Sequence, residues 1–152
     1  MSDATGAPVI QGLDHVVVAV RDLAGAARRW ETLLGRAPAW RAGAQGGGAE
    51  IAVFRLANVA VELMAPSGAG DTAARLSAVL DAQGEGLASL AFAVADADRA
   101  HRRLARLGLD PEPVSPGESV DRSTGARRTW RRTRASTAAT HGVRVFLSLI
   151  HI

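Results

Sequence analysis

Residues 13–23 read LDHVVVAVRDL, and this stretch decides the fold that we predict for the chain. It is an apolar run rich in valine, it contains one histidine, His15, and Asp22 interrupts the run near its end. A β-branched run followed by a residue that favours the helix N-cap indicates a buried strand that leads into a helix. The stretch therefore predicts a β-strand followed by an α-helix, with His15 as a polar side chain inside the strand.

The same pattern returns 74 residues later, where residues 87–107 read LASLAFAVADADRAHRRLARL. Asp22 aligns with Asp96, so each copy has its own predicted helix N-cap. His15 aligns with Ser89, and this mismatch is the main functional difference between the copies. An internal repeat of this kind predicts two modules of the same fold within one domain.

Each copy continues with three further predicted strands, which gives the order β-α-β-β-β twice. In this continuation residues 58–63, NVAVEL, align with residues 142–147, GVRVFL, so that Glu62 aligns with Phe146. We also predict a loose leader at residues 1–10 and a glycine-rich turn at residues 45–48. The predicted modules span about residues 12–66 and 86–150, and a linker with a short helix spans about residues 67–85.

The composition limits the classes of function. The 152 residues are 47% hydrophobic and 22% charged, which is typical of a single soluble globular domain over residues 1–152. No stretch has the length of a membrane span and no signal-peptide pattern is present, so a cytoplasmic location is the default expectation. The chain has neither cysteine nor lysine. Disulfides, thiolate catalysis, Schiff-base chemistry and lysine-containing phosphate loops are therefore excluded.

Positive charge is concentrated near the C-terminal end. Residues 111–152 contain 7 arginines and 3 acidic residues, whereas residues 1–110 contain 11 arginines and 12 acidic residues. Much of the excess lies in residues 127–134, RRTWRRTR, which form a predicted strand. Alternation places Arg128, Trp130, Arg132 and Arg134 on one side of it and Arg127, Thr129, Arg131 and Thr133 on the other.

Either side of this strand would present at least two guanidinium groups to a ligand, and alternation does not decide between them. Guanidinium forks match carboxylate or phosphate groups, and Trp130 could stack on a ring. A second interpretation is a solvated edge strand whose charges prevent edge-to-edge aggregation. A nucleic-acid surface is a third, but no nucleic-acid-binding fold is indicated and the rest of the chain is close to neutral.

The opening LDHVVVAVRDL, the later VELMAP and the internal repeat together resemble the vicinal oxygen chelate superfamily. This superfamily includes glyoxalases, methylmalonyl-CoA epimerases, extradiol dioxygenases and bleomycin-type resistance proteins. The resemblance covers about residues 12–66 and 86–150. It implies one glyoxalase-like α+β domain in which two tandem βαβββ modules form an open, cup-shaped, eight-stranded mixed sheet with helices outside. It also implies a small-molecule ligand in the cup, no membrane contact and a homodimer.

The resemblance places His15 and Glu62 at the metal-ligand positions of the first module. Ser89 and Phe146 occupy the matching positions of the second module. Serine is at best a weak ligand and phenylalanine cannot bind a metal, so the ligand set is incomplete. The sequence therefore favours a protein without a bound metal over one with a divalent metal at His15 and Glu62.

Without a metal, Glu62 could act as a general base whose pKa is raised by an apolar cup, with His15 as its partner or as an electrophile. This chemistry suits a glyoxalase-like lyase or isomerase that removes a proton next to the carbonyl of a small, anionic compound. Alternation along the fourth strand puts Met64 on the face of Glu62. The candidate ligand-binding residues are Ser89, Met64, Arg128, Trp130, Arg132, Arg144 and Phe146.

Two other hypotheses remain open at this point. In the first, the chain is a metal-free small-molecule binding or resistance protein of the same fold, and His15 and Glu62 form a hydrogen-bonded pair in a half-buried pocket. In the second, it is a non-catalytic module that recognises a partner with the arginine-rich strand.

Overall fold

The computed structural model describes residues 8–43 and 48–151, so residues 1–7 of the predicted leader and most of the predicted turn at 45–48 lie outside the described residues, while Ile10 of that leader already begins the first strand. The described elements follow the predicted order. In the second module, the strand that follows the helix is Ser115–Val120, in a segment that contains prolines. None of the described helices is long and apolar enough to cross a membrane.

The strands are β1 (Ile10–Ala19), β2 (Trp40–Gly43), β3 (Ala49–Arg55), β4 (Ala60–Pro66), β5 (Gly86–Val94), β6 (Ser115–Val120), β7 (Arg127–Arg134) and β8 (Arg144–His151). The helices are α1 (Leu23–Leu34), α2 (Asp71–Gln83) and α3 (Ala97–Arg106).

The two aspartates predicted as helix N-caps occupy the N-cap positions of α1 and α3. The Asp96 carboxylate accepts a hydrogen bond from the backbone N–H of Arg99 at 3.0 Å, which lowers the pKa of Asp96. Asp22 has the extended backbone of an N-cap, but its side chain forms no capping hydrogen bond. At the other end of α1, Gly35 takes a left-handed conformation with φ of 66°, which a glycine adopts at little steric cost.

The eight strands form one mixed sheet in the order β2-β3-β4-β1-β5-β8-β7-β6. β1 pairs in parallel with β4, β5 pairs in parallel with β8, and the two modules meet where β1 and β5 pair antiparallel. Within the first module Val17 lies opposite Glu62, and within the second Ala91 lies opposite Phe146. Because Val17 and Ala91 are separated by the repeat distance of 74 residues, the register confirms the alignment of Glu62 with Phe146.

The sheet curves until its two outer strands meet. The backbone N–H of Arg122 donates to the carbonyl of Arg41 at 2.8 Å, and the N–H of Arg41 donates to Oδ1 of Asp121 at 3.0 Å. The indole N–H of Trp40 donates to Oγ of Ser119 at 3.0 Å. These bonds nearly close the sheet into a barrel and satisfy polar groups that an open edge would leave unpaired.

The apolar core lies mainly between the outer face of the sheet and helices α1 and α3. Val16, Val18 and Val20 pack with the α1 side of this core, as the alternation of β1 predicts. The buried members of this cluster are Val20, Ala26, Ala27, Ala52, Phe54, Val61, Leu63 and Ala65. A second cluster packs α3 against the other half of the sheet, and its buried members are Val94, Ala100, Leu104, Ala135 and Leu147.

Helix α2, which joins the modules, packs differently. Its buried Leu76 and Leu80 form a cluster with Ala19, and Met64 packs against the same cluster. Ala19 and Met64 are paired in the sheet and belong to its concave face. Helix α2 therefore lies across one end of the cup, where it covers the concave face rather than the back of the sheet.

The arginine-rich strand β7 lies between β8 and β6, so the interpretation of this strand as a solvated sheet edge is wrong. The strand at this edge of the sheet is β6. It tolerates Pro116 because an edge strand has one side free of ladder hydrogen bonds. Arg131 pairs with Asp98 of α3 at 3.0 Å, so the side of β7 that carries Arg131 faces the helix. The opposite side, with Arg128, Trp130 and Arg132, therefore faces the cup.

Candidate functional site

Strand alternation and register place every candidate residue on the concave face of the sheet. The contacts then separate these residues into three groups. One surrounds Glu62, and a second surrounds Phe146. The third, at the end covered by α2, contains Met64, Ser89 and Arg144. Ser89 is buried opposite Arg144, and Arg144 Nη1 donates to Oε1 of Gln83 at 3.5 Å.

The carboxylate of Glu62 is the centre of the first group. Its side chain is 6% exposed, and its Oε2 lies 3.6 Å from Nε2 of His15 and 3.8 Å from Nη2 of Arg128. Both distances are longer than a hydrogen bond. His15 and Glu62 thus meet inside the cup, but at an ion-pair distance and not as the hydrogen-bonded pair of the binding-protein hypothesis.

The second carboxylate at this site belongs to Asp14, which the sequence analysis did not single out. Oδ2 of Asp14 lies 2.7 Å from Nδ1 of His15. Simple alternation would put these neighbouring residues on opposite faces, but the β1–β5 ladder shifts register between Leu13 and His15. A bulge of this kind re-aims a side chain and leaves no pattern that alternation can detect.

Asp14 orients the imidazole of His15 by holding its Nδ1, which leaves Nε2 directed at Glu62. The hydrogen bond with His15 lowers the pKa of Asp14 below 3.8, and the positive charges of His15, Arg55 and Arg128 act in the same direction while burial opposes it. A carboxylate with a depressed pKa stabilises the fold at pH values above its unfolded pKa, and this contribution is lost as the pH falls through the folded pKa.

We therefore expect Asp14→Asn to lower the melting temperature near neutral pH by a few degrees, roughly the effect of losing one charged hydrogen bond. The difference from the unaltered protein should shrink as the pH falls below 3.8. Thermal unfolding followed by circular dichroism across this range measures the effect. A difference that is constant with pH would show that the Asp14 carboxylate is not linked to folding.

The guanidinium of Arg128 lies between two tryptophans. Its Cζ is 5.5 Å from the ring centroid of Trp40 and 5.5 Å from that of Trp130, which are cation–π distances. The indole of Trp130 lies so close to Gly117 on β6 that any β-carbon there would collide with it. Within the described part of the chain, Nε of Arg128 is buried and has no hydrogen-bond partner.

The second group surrounds Phe146. Arg132 lies over its ring at 4.7 Å and Arg134 at 5.8 Å. Arg134 pairs with Glu112 at 2.9 Å, whereas Arg132 has no carboxylate within 4.0 Å among the described residues. Burial lowers the pKa of Arg132, as do the positive charges of Arg134 and Arg75, while Glu62 opposes the shift.

The β7 side of the cup around Glu62 is therefore cationic and aromatic, whereas its β2–β4 side carries a buried apolar cluster of Ala42, Ile51, Val53 and Ala60, so the expectation of an apolar cup holds for one side only. The sequence allowed either side of β7 to present at least two guanidinium groups to a ligand, but the side that faces inward follows from its packing against α3. The arrangement provides a buried carboxylate together with guanidinium groups that can form ion pairs with a negatively charged ligand.

A divalent metal does not fit these side chains. In residues 8–43 and 48–151 no three histidine or acidic side chains converge on one point. The position that would complete the site from β8 holds Phe146, and the guanidinium of Arg128 places a positive charge 3.8 Å from the only carboxylate at the ligand positions. The positive charge of Arg128 would repel a metal cation at this position, and the ligand atoms that the cation needs are missing.

Comparison with known proteins agrees with this architecture. The model of the glyoxalase-like domain family matches residues 13–151. A search of the curated proteins gives no match. Among solved structures, methylmalonyl-CoA epimerase from Mycobacterium tuberculosis superposes with a TM-score of 0.77 at 25% sequence identity, and the alignment covers 97% of this chain and 93% of that chain.

Two ligand complexes share the fold at lower identity. A Streptomyces coelicolor methylmalonyl-CoA epimerase variant in complex with 2-nitronate-propionyl-CoA has a TM-score of 0.76 at 20% identity, with coverage of 92% of this chain and 94% of that chain. A methylmalonyl-CoA epimerase in complex with methylmalonyl-CoA and NH4+ gives the same values. At this level of identity the likeness demonstrates a common fold.

Proposed function

The chain belongs to the glyoxalase-like domain family of the vicinal oxygen chelate superfamily, and on that premise we propose that it is an isomerase or lyase that removes a proton from the carbon beside a carbonyl group of a small, anionic substrate. The observation that carries this proposal is the environment of Glu62. Its carboxylate is buried, is held by no hydrogen bond among the described residues, and lies within 4 Å of both His15 and Arg128.

Each group has a role in the proposed reaction. The Glu62 carboxylate takes the proton, and the electron pair of the broken C–H bond forms a double bond to the carbonyl carbon while the carbonyl oxygen becomes an enolate oxygen. Arg128 and Arg132 stabilise the negative charge on that oxygen. Return of the proton from Glu62 to a neighbouring atom of the enolate gives the isomer and regenerates the carboxylate, whereas return to the same carbon on the same face exchanges hydrogen without net reaction. The isomerase cycle conserves the atoms and the overall oxidation state of the substrate; a lyase would instead expel a leaving group from the carbon next to the enolate carbon, and Glu62 would give its proton to that group.

His15 acts as a positioning residue for this base. Asp14 fixes the ring through Nδ1, and Nε2 faces the Glu62 carboxylate at 3.6 Å. The imidazole thus lies against one side of the carboxylate and limits the positions that it can take, and a near-attack geometry depends on that position.

The charges of the cup indicate the substrate class. Arg132 has no ion-pair partner among the described residues, and Arg128 has an unpartnered Nε, so a carboxylate on the substrate is a suitable acceptor for either of them. A thioester or ketone with a carboxylate on the carbon that loses the proton meets these requirements. Malonyl-type thioesters are such compounds, and one structural relative of this chain is a methylmalonyl-CoA epimerase in complex with methylmalonyl-CoA.

The direct test is proton exchange in deuterated water. We expect the purified protein to catalyse deuterium incorporation at the acidic carbon of at least one compound in a panel of 2-oxo acids, 3-oxo acids and malonyl thioesters, followed by proton NMR. A matched control is the protein with Glu118→Gln, because Glu118 is exposed on β6 and pairs with Arg127 outside the cup. Absence of exchange above the uncatalysed rate for every compound would contradict the proposal.

The second candidate function is a metal-free protein that binds an anionic small molecule in the cup without converting it. The observation that favours it is the set of aromatic rings at the guanidinium groups, namely Trp40 and Trp130 at Arg128 and Phe146 at Arg132. Such rings stack on a planar ligand. Tight binding of a panel compound without deuterium exchange would favour this function over the first.

A further inference from the structure

The positive charge nearest Glu62 comes from a side chain of β7 rather than from any residue at the family's ligand positions. Arg128 is 6% exposed, and its Nη2 is 3.8 Å from the same Oε2 atom that faces His15. Its guanidinium therefore lies beside the two residues that the resemblance assigns to a metal ion.

Several contacts hold this guanidinium in place without using its hydrogen-bonding capacity. Trp40 and Trp130 each lie 5.5 Å from Cζ, and Nε is buried without a partner among the described residues. An unmade hydrogen bond at a buried charged group costs free energy, so a donor left in this state is a site for an acceptor from elsewhere. A guanidinium fork matches the two oxygens of a carboxylate or of an enolised carbonyl-carboxylate unit.

Arg132 extends the same positive region. It lies over Phe146, which is the residue that replaces the fourth ligand, and it has no carboxylate within 4.0 Å among the described residues. The substitution that removes a metal donor from β8 thus provides the ring on which a second guanidinium stacks. The two changes are complementary, because a site that loses a divalent cation regains positive charge from β7.

We propose that the guanidinium of Arg128 takes the place of the divalent cation in this cup, with Arg132 as a second cation on the same face of β7, and binds planar carboxylate or enolate oxygens without any metal. This inference deepens the proposed function, since the enolate of that reaction is one such ligand, but binding itself requires no chemistry. Arg128 and Arg132 are then ligand-binding residues whose role does not depend on loading the protein with an ion.

The test uses oxalate, a planar dicarboxylate, as the probe in isothermal titration calorimetry. We expect oxalate to bind the full chain with the same dissociation constant in the presence and absence of EDTA. Arg128→Gln should weaken binding by about 10- to 100-fold, the usual value of one charged hydrogen-bonding pair, and Arg128→Lys should recover only part of this loss. Arg127→Gln is the matched control, because Arg127 is exposed and pairs with Glu118. The Arg127→Gln protein should bind oxalate with unchanged affinity.

Several results would overturn the inference. These are no oxalate binding at millimolar concentration, binding that EDTA abolishes and Mn²⁺ restores, or an Arg128→Gln protein that binds oxalate as tightly as the unaltered chain. If Arg128→Gln does not fold, electron paramagnetic resonance of the unaltered protein titrated with Mn²⁺ decides. The ion should stay free in solution, and one bound equivalent that His15→Ala removes would contradict the inference.

The two proposals fail in different ways. If no compound exchanges deuterium but oxalate binds in EDTA and requires Arg128, the proposed reaction is wrong and the cation replacement stands. If exchange occurs but stops in EDTA and returns with Mn²⁺, the proposed reaction stands and the cation replacement is wrong.

Discussion

Replacement of Glu62 by glutamine should lower the rate of deuterium exchange by roughly 10²- to 10⁴-fold, the usual contribution of a positioned general base. The amide has almost the same shape as the carboxylate but cannot accept the proton. The same change removes the negative charge that lies near Arg128 and interacts with Arg132. Anion binding should therefore be retained or become tighter, so kcat falls while KM does not rise.

This divergence between kcat and KM distinguishes a general base from a structural residue. A misfolded cup would lose both oxalate binding and exchange, whereas loss of the base alone leaves oxalate binding intact. Glu62→Asp, which keeps the charge but withdraws it by one methylene group, should exchange at an intermediate rate. An exchange rate in Glu62→Gln within about threefold of the unaltered protein would exclude Glu62 as the base.

Replacement of Phe54 by alanine should lower the free energy of unfolding by about 3–5 kcal/mol, the usual cost of deleting a buried phenylalanine side chain. Phe54 is fully buried on the outer face of β3, where it packs with Ala26 and Ala27 of α1 and with Leu63 of β4. The cavity would lie between two packed layers that cannot both move in to fill it. Urea unfolding followed by circular dichroism measures the change as a lower midpoint at an unchanged slope.

Leu33→Ala is the control for this experiment, because Leu33 lies on α1 but is 73% exposed. It should change the free energy of unfolding by less than about 0.5 kcal/mol. Because Phe54 is on the face away from the cup, the folded Phe54→Ala protein should bind oxalate with unchanged affinity. Weakened oxalate binding by the folded variant would contradict the assignment of Phe54 to the outer layer.

Sequence alone was sufficient for the module order and for the faces of the central strands. Alternation along β1 predicts that Val16, Val18 and Val20 pack toward the helices if His15 points into the cup, and the structure shows both. The alignment of residues 58–63 with residues 142–147 correctly related Glu62 to Phe146, because duplicated modules use the same register. These features depend on short-range periodicity, which one chain records directly.

Tertiary structure was needed wherever a side chain meets a partner distant in sequence or leaves the regular strand geometry. The inward side of β7 is set by the pairing of Arg131 with Asp98, which no periodicity within β7 contains. Asp14 reaches His15 through an irregularity in the β1–β5 ladder, and α2 covers one end of the cup through Leu76 and Leu80.

The sequence by itself thus determined the repeated βαβββ fold and the meeting of His15 with Glu62, whereas only the tertiary structure decided which side of β7 faces the cup and that Arg128 lies beside these residues. The reason is physical. Hydrophobic periodicity reports which face of an element is buried, but it carries no information on which buried faces approach one another. The charge at a given point depends on that approach, because Coulomb interactions act through space between residues that are far apart along the chain.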